Sequence, residues 1–209
     1  MKIKTTYSTK KDFQKLRESG FRLNVGDKIK LSFNLPGKEG LFPAVECKKE
    51  SAMLIQKTEK EMLFVMDCVI FDGAVDTKGC KEYEKTELAQ YLNNEVKEVL
   101  SGIFKEMETP FETPTVKEVR LLSVGEVFGA SDFEDFAACT DKQLKYFKKG
   151  NHRIAFDKDE DCSRWWWLST PTKFESAHFC LCNSNGYAHY SSADSSNGGV
   201  RFAFLIQYL

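Results

Sequence analysis

WWWLSTPTKFESAHFCLCNSNGYAHYSSADSSNGGVRFAFLI, residues 165–206, changes character twice. Its middle, residues 183–199, holds five Ser, three Asn and three Gly and no Lys, Arg, Glu or branched aliphatic residue. That composition makes it either a plain loop or a binding surface. Its two ends say how it is held. FCLC and YAHY flank Asn183, Ser184, Asn185 and Gly186, and an Asn-Gly pair tolerates the positive φ of a tight hairpin. VRFAFLI puts Val200, Phe202, Phe204 and Ile206 on one face, the pattern of a last strand paired inside a sheet. At the other end Trp165 and Trp167 share one strand face and Trp166 takes the opposite one, so at least one indole is buried whichever way the strand lies. Core anchoring outweighs ligand stacking for the three.

Working outward, VGDKIKLSF, LFPAVECKK, SAMLIQKT and EMLFVMDCVIF are β-prone runs separated by Pro36-Gly37, Glu50-Ser51 and Glu59-Lys60, the rhythm of an antiparallel meander. TELAQYLNNEVKEVLSGIF sets Leu88, Tyr91, Leu92, Val96, Val99, Leu100, Ile103 and Phe104 near helical spacing behind a Thr86 cap. VKEVRLL reads as a strand, and Ser123 with Glu126 fits a capping box opening a short helix. Residues 141–164 carry twelve charged residues and predict a helix followed by an exposed loop. Residues 1–20 are basic, with Phe13 and Leu16 as their sizeable apolar pair, and read as a surface arm or helix.

At 209 residues and 42% hydrophobic content the chain can bury a large core. Thirty basic residues against thirty-one acidic ones give no field that would favour nucleic acid. No apolar run approaches the roughly 18 residues of a membrane span, and the first twenty residues lack the apolar centre of a secretory signal. The expectation is a chain made in the cytoplasm without membrane insertion, with incorporation into a phage particle or export by a non-classical route left open. Seven scattered cysteines point to reduced thiols.

Trp166-Trp167-Leu168-Ser169-Thr170-Pro171, Asn183-Ser184-Asn185-Gly186 and Gly199-Val200-Arg201-Phe202-Ala203 occur in this order. With Tyr91-Leu92-Asn93-Asn94-Glu95 and the Leu121-Leu122-Ser123 segment, they resemble a family of bacterial and phage proteins of unknown function. That family's C-terminal module reads WWLRSP, then an NSDG-like turn, then GVRPA. The chain departs from the pattern at Ser169, Thr170 and Phe202. The module is similar to the C-type-lectin-like fold of formylglycine-generating enzymes and of variable proteins diversified by retroelements. The resemblance implies a rigid frame displaying a changeable strand-loop-strand, and residues 183–199 are similar in composition to such a segment.

Taken together, the expectation is an α+β fold: an antiparallel β-rich scaffold with one long helix and a C-terminal C-type-lectin-like module. After the 1–20 arm, residues 21–209 form a single domain, with 21–150 as scaffold and 151–209 as the tail. The functional expectation is a non-enzymatic module that binds a protein or glycan surface, with no cofactor or metal. Tyr187, His189, Tyr190, Ser192, Asp194, Ser195 and Asn197 form its surface, with His178 and Cys180 beside it; Trp166, Trp167 and Arg201 hold the frame. The alternatives are a formylglycine-generating-type enzyme, a zinc-dependent one using His178, Cys180 and Cys182 on one strand face, or a structural phage or surface component. CxC is not the usual CxxC zinc spacing, and no fourth ligand follows it.

Overall fold

The computed structural model describes residues 6–7, 23–105, 114–129, 135–137, 139–174 and 177–207. Apart from two residues, the expected arm over 1–20 lies outside them. The chain enters with β1 (Thr6–Tyr7), β2 (Lys28–Leu35), β3 (Val45–Lys57) and β4 (Glu61–Met66), followed by the short β5 (Cys68–Val69) and β6 (Phe71–Asp72). One helix of 19 residues, α1, comprises Glu87–Tyr91, Leu92–Val96 and Lys97–Lys105, the middle five coiled as a π-helix. Then come β7 (Thr115–Arg120), the one-turn α2 (Val124–Phe128), β8 (Ala155–Asp157), β9 (Ser163–Arg164) and β10 (Trp166–Pro171). The chain closes with β11 (His178–Cys182), β12 (Ala188–Ser192), β13 (Gly199–Val200) and β14 (Ala203–Gln207).

The fold is β-rich, with curled, largely antiparallel sheets. A six-stranded sheet runs β1-β2-β3-β4-β14-β7, a five-stranded one β12-β11-β10-β13-β6, and a small third one β5-β8-β9. Strands after residue 150 enter all three: β14 lies between β4 and β7, β13 pairs β6, and β8 pairs β5.

EMLFVM explains the layering. Every residue of β4 after Glu61 is buried, so the strand needs cover on both faces. On one face Met62, Phe64 and Met66 join a core with Leu92, Val96 and Leu100 of α1. Phe64 stacks on its cross-strand neighbour Phe204 at 5.3 Å, and Phe104 of α1 closes over Phe204 at 6.0 Å. On the other face Leu63 and Val65 meet a second core with Val127 of α2, Phe147 and Trp166. The five-stranded sheet is divided the same way: Trp167, Phe179 and Leu181 enter the first core, Trp166, Leu168 and Cys180 the second.

The break expected at Glu50-Ser51 is absent, since β3 runs through both residues as one strand paired to β2, but the local signals at the helices act as expected. Thr86 Oγ1 accepts the Ala89 N–H at 3.2 Å, and Ser123 with Glu126 closes a reciprocal capping box. Residues 141–164 differ from expectation. Instead of a helix they hold two single 3-10 turns, Lys145–Lys148 and Gly150–His152, followed by the β8–β9 pair. Leu144, Tyr146 and Phe147 all go into the core, and three apolar residues within four positions do not make one helical face. VRFAFLI also differs: it passes between sheets at Arg201 and Phe202, with β13 in the five-stranded sheet and β14 in the six-stranded one. Among the described residues no helix is long and apolar enough to cross a membrane.

Two carboxylates hold the turn before α1: buried Asp76 accepts the N–H groups of Lys78 and Cys80, both at 2.8 Å, and of Glu87 at 3.2 Å. Glu87 accepts from the Thr77 N–H and hydroxyl at 2.9 and 2.6 Å and pairs with Lys78 at 2.8 Å. The Lys78 ammonium first, and then the Thr77 hydroxyl, hold its pKa down to about 2 from 4.5. A depressed carboxylate stabilises the fold above its unfolded pKa, and that contribution is lost as pH falls from about 4.5 toward 2. With Lys78 largely exposed, the loss is expected to be about 1–2 kcal/mol. Denaturant unfolding at pH 6 and pH 3 should show a loss in the wild type that is larger than in E87Q by this amount.

Candidate functional site

The polar segment is held by its backbone, which leaves many of its side chains outside. The Asn183 side chain accepts the N–H groups of Asn185 and Tyr187, both at 3.0 Å, and Gly186 takes φ +83°, so the expected hairpin forms between β11 and β12. Further on, buried Ala193 donates its N–H to Ala177 O and accepts from Val75 and Asp76 at 2.8 and 3.0 Å. Gly198 O accepts from the Gly73 N–H at 2.9 Å. These bonds pin the 193–198 loop to the chain just before Glu87 and α1.

β12 is the edge of its sheet. On one face Tyr190, opposite Cys180, packs against the second core. Its ring lies 4.9 Å from Phe174 and 6.0 Å from His178, both edge-on. His189 leaves on the other face, and its Nδ1 accepts the Tyr190 N–H at 2.9 Å, capping the strand's open edge with an imidazole. At the end of β12, Ser192 Oγ donates to Asp194 at 2.6 Å, and the hydroxyls of Ser191 and Ser195 are 3.0 Å apart.

Tyr187, at the hairpin tip, is 68% exposed. His189, Asp194 and Asn197 are also exposed, and His178, Tyr190, Ser192 and Ser195 are half-buried. These residues form a strip along the sheet edge and the loop after it, spread over both faces of β12. Cys180 is not part of it. β11 lies between β10 and β12 with both faces covered, and Cys180 is fully buried. Sequence reasoning missed Phe174, which lies outside the polar segment and reaches Tyr190 only through the fold.

Burial pushes the Cys180 thiol well above its ordinary value and the Cys182 thiol up to about 12. Both are therefore neutral at physiological pH, and a neutral thiol is a poor metal ligand and nucleophile. Among the described residues no group of three His, Cys, Asp or Glu side chains is placed to hold a metal ion. The strip offers aromatic faces and hydroxyl, amide and carboxylate groups.

The frame beneath consists of Trp166, Trp167 and Arg201, all fully buried. Trp166 Nε1 donates to Arg153 O and Trp167 Nε1 to Gly73 O, each at 2.9 Å. The Arg201 guanidinium lies over the Trp166 ring at 4.9 Å and donates through Nε to Met66 O at 2.8 Å. Thr170 accepts the Val124 N–H at 2.9 Å and so satisfies a donor at the start of α2.

Residues 59–208 match the model of a family described as a domain of unknown function (DUF6273). No curated protein and no solved structure matches the chain.

Proposed function

The chain belongs to the DUF6273 family of domains of unknown function, and from that premise we propose that it is a non-enzymatic binding module of C-type-lectin-like type. Its ligand is a protein or glycan surface, met by Tyr187, His189, Tyr190, Ser192, Asp194, Ser195 and Asn197, with His178 and Phe174 at one side. One observation carries the reading: backbone bonds at Asn183, Ala193 and Gly198 fix the segment, while Tyr187, His189, Asp194 and Asn197 stay in solvent. Such a surface binds with little loss of backbone freedom. Tyr gives rigid amphipathic contact area and Ser, Asn and Asp give adaptable hydrogen bonds. The resemblance of the Trp166 to Pro171 and Gly199 to Ala203 motifs to lectin-like modules supports the fold assignment.

The same reading makes the exposed positions of residues 183–199 the ones a retroelement would diversify. Gly186, Ala193, Gly198 and Gly199 are buried and stay fixed. A reverse transcriptase beside the gene, with a second copy of the segment differing mainly at adenines, is the expected genomic signature.

The binding test compares the wild type with a Y187A/D194A/N197A triple variant on an array of glycans and cell-envelope proteins. Each substitution at these exposed sites should change stability by about 0.5 kcal/mol or less. The expected result is a selective wild-type signal that the triple variant loses while its unfolding midpoint stays close. Equal signals from the two proteins would refute the assignment of the surface.

A further inference from the structure

A second surface begins beside the polar strip, at Arg164, whose guanidinium donates both to Asp72 and to Asn197 O at 3.5 Å. The ladder between β3 and β4 ends at Ala52 opposite Met66, and the last bond across it runs from Asp67 N–H to Ser51 O at 2.8 Å. Past that point the two strands diverge. Residues 45–50 keep β2 along one edge, and among the described residues no strand occupies the other. At about 3.3 Å per residue this leaves roughly 20 Å of open edge. Lys49 sits at a break in the β2–β3 register with φ +58°, where the strand bends.

A cleft of about 520 Å³ fills the wedge between residues 45–50 and the chain continuing from β4. Its floor is apolar, from Val45, Val69 and Phe71. Its rim carries the carboxylates of Glu46, Glu50, Asp72, Asp157 and Asp159 and the ammonium groups of Lys48 and Lys158. Lys48 pairs with Glu46, Lys158 with Asp159, and Arg164, alongside, with Asp72 and Asp157. Glu50 is different. It is half-buried, accepts the Cys68 thiol at 3.5 Å, and has no cation within ion-pair distance among the described residues.

We propose that this cleft binds an extended peptide of a partner protein, which adds as a strand to the open edge of β3 and sets a Lys or Arg against Glu50. Strand addition supplies main-chain hydrogen bonds to an edge that lacks them, and alternate side chains of the added strand reach the apolar floor. The excess of carboxylate over cation selects a basic peptide and disfavours phosphate-bearing ligands.

The test uses the full chain and two hexapeptide probes, acetyl-Val-Lys-Val-Lys-Val-Lys-amide and the counterpart with Glu for Lys, followed by amide NMR. The basic peptide should shift amides of residues 45–50 and 68–72, and the acidic one should not. E50K should weaken binding by roughly tenfold or more, and E46K or D159K on the exposed rim by about threefold. The two rim variants keep the test decisive should E50K fail to fold. The Y187A/D194A/N197A variant should bind the peptide like the wild type, which separates this cleft from the polar strip. No shifts in the cleft, equal binding of the acidic peptide, shifts centred on β12, or undiminished affinity in the charge-reversed variants would each overturn the proposal.

Discussion

Gly198→Ala is expected to cost at least about 3 kcal/mol, more than most small-to-small changes in a loop. The reason is distance. A Cβ at Gly198 would stand 1.8 Å from Trp167 Nε1, 2.3 Å from Trp167 Cε2 and 2.8 Å from Trp165 Cη2. Trp167 is fully buried and its Nε1 is committed to Gly73 O, the same residue whose N–H reaches Gly198 O. The indole cannot move without breaking that bond, and the loop cannot move without losing its attachment. A smaller ring should relieve the clash. Trp167→Phe in the Gly198→Ala background is expected to cost at least about 1 kcal/mol less than the sum of the two single changes, as residues in direct contact do. Denaturant midpoints of the four proteins give the coupling, and a Gly198→Ala loss below about 1 kcal/mol would show that the loop is not held in this way.

Arg201→Ala should cost about 3–5 kcal/mol, although no carboxylate among the described residues is within ion-pair distance of Arg201. The guanidinium is 1% exposed, donates to Met66 O at 2.8 Å and to His152 O at 3.5 Å, and lies over the Trp166 and Phe147 rings. Burial depresses its pKa. Truncation removes the stem from the core, the cation from the rings and the donor from a buried carbonyl, each a separate loss. Arg201→Met keeps the stem and removes the charge, and a buried charge replaced by an apolar side chain of similar length is less costly than a cavity. The methionine variant is therefore expected to retain about 1–2 kcal/mol of what the alanine variant loses. Arg201 occupies the point where the chain leaves β13 for β14, so its removal loosens both sheets together.

How much of this could be read in the sequence depends on how local each signal is. The hairpin at Asn183 to Gly186, the Thr86 cap and the Ser123 capping box all rest on side chains bonding within four residues, and each forms where the sequence places it. The four-residue spacing of Leu88, Leu92, Val96 and Leu100 likewise marks the buried face of α1, whose middle turn is the wider π-helix. The break in the last strand is not local. Val200, Phe202, Phe204 and Ile206 alternate as they would in one uninterrupted strand, because alternation records a face and not which neighbour pairs with it. Charge density in residues 141–164 suggested a helix, but Leu144, Tyr146 and Phe147 are drawn inward together by contacts that sequence spacing does not encode.

The site divides along the same line. Tyr187, His189, Asp194 and Asn197 are exposed as a polar segment between anchored strands should be, whereas Cys180 is hidden because its side chain points into the second core. Phe174 beside Tyr190, and Glu50 in its cleft, are put in place by strands that part or meet far along the chain. Gly198 looks like one more flexible loop residue until Trp167 is seen against it.

The central claim is that a rigid frame carries a surface free to change. Two libraries test it: one randomised at Tyr187, His189, Ser192, Asp194 and Asn197, the other at Ala193, Gly198, Gly199, Trp167 and Arg201, each scored clone by clone for protease resistance on display. The account predicts that most clones of the first library stay as resistant as the wild type and that nearly all clones of the second are digested. Loss of resistance across the first library, or its survival across the second, would contradict it.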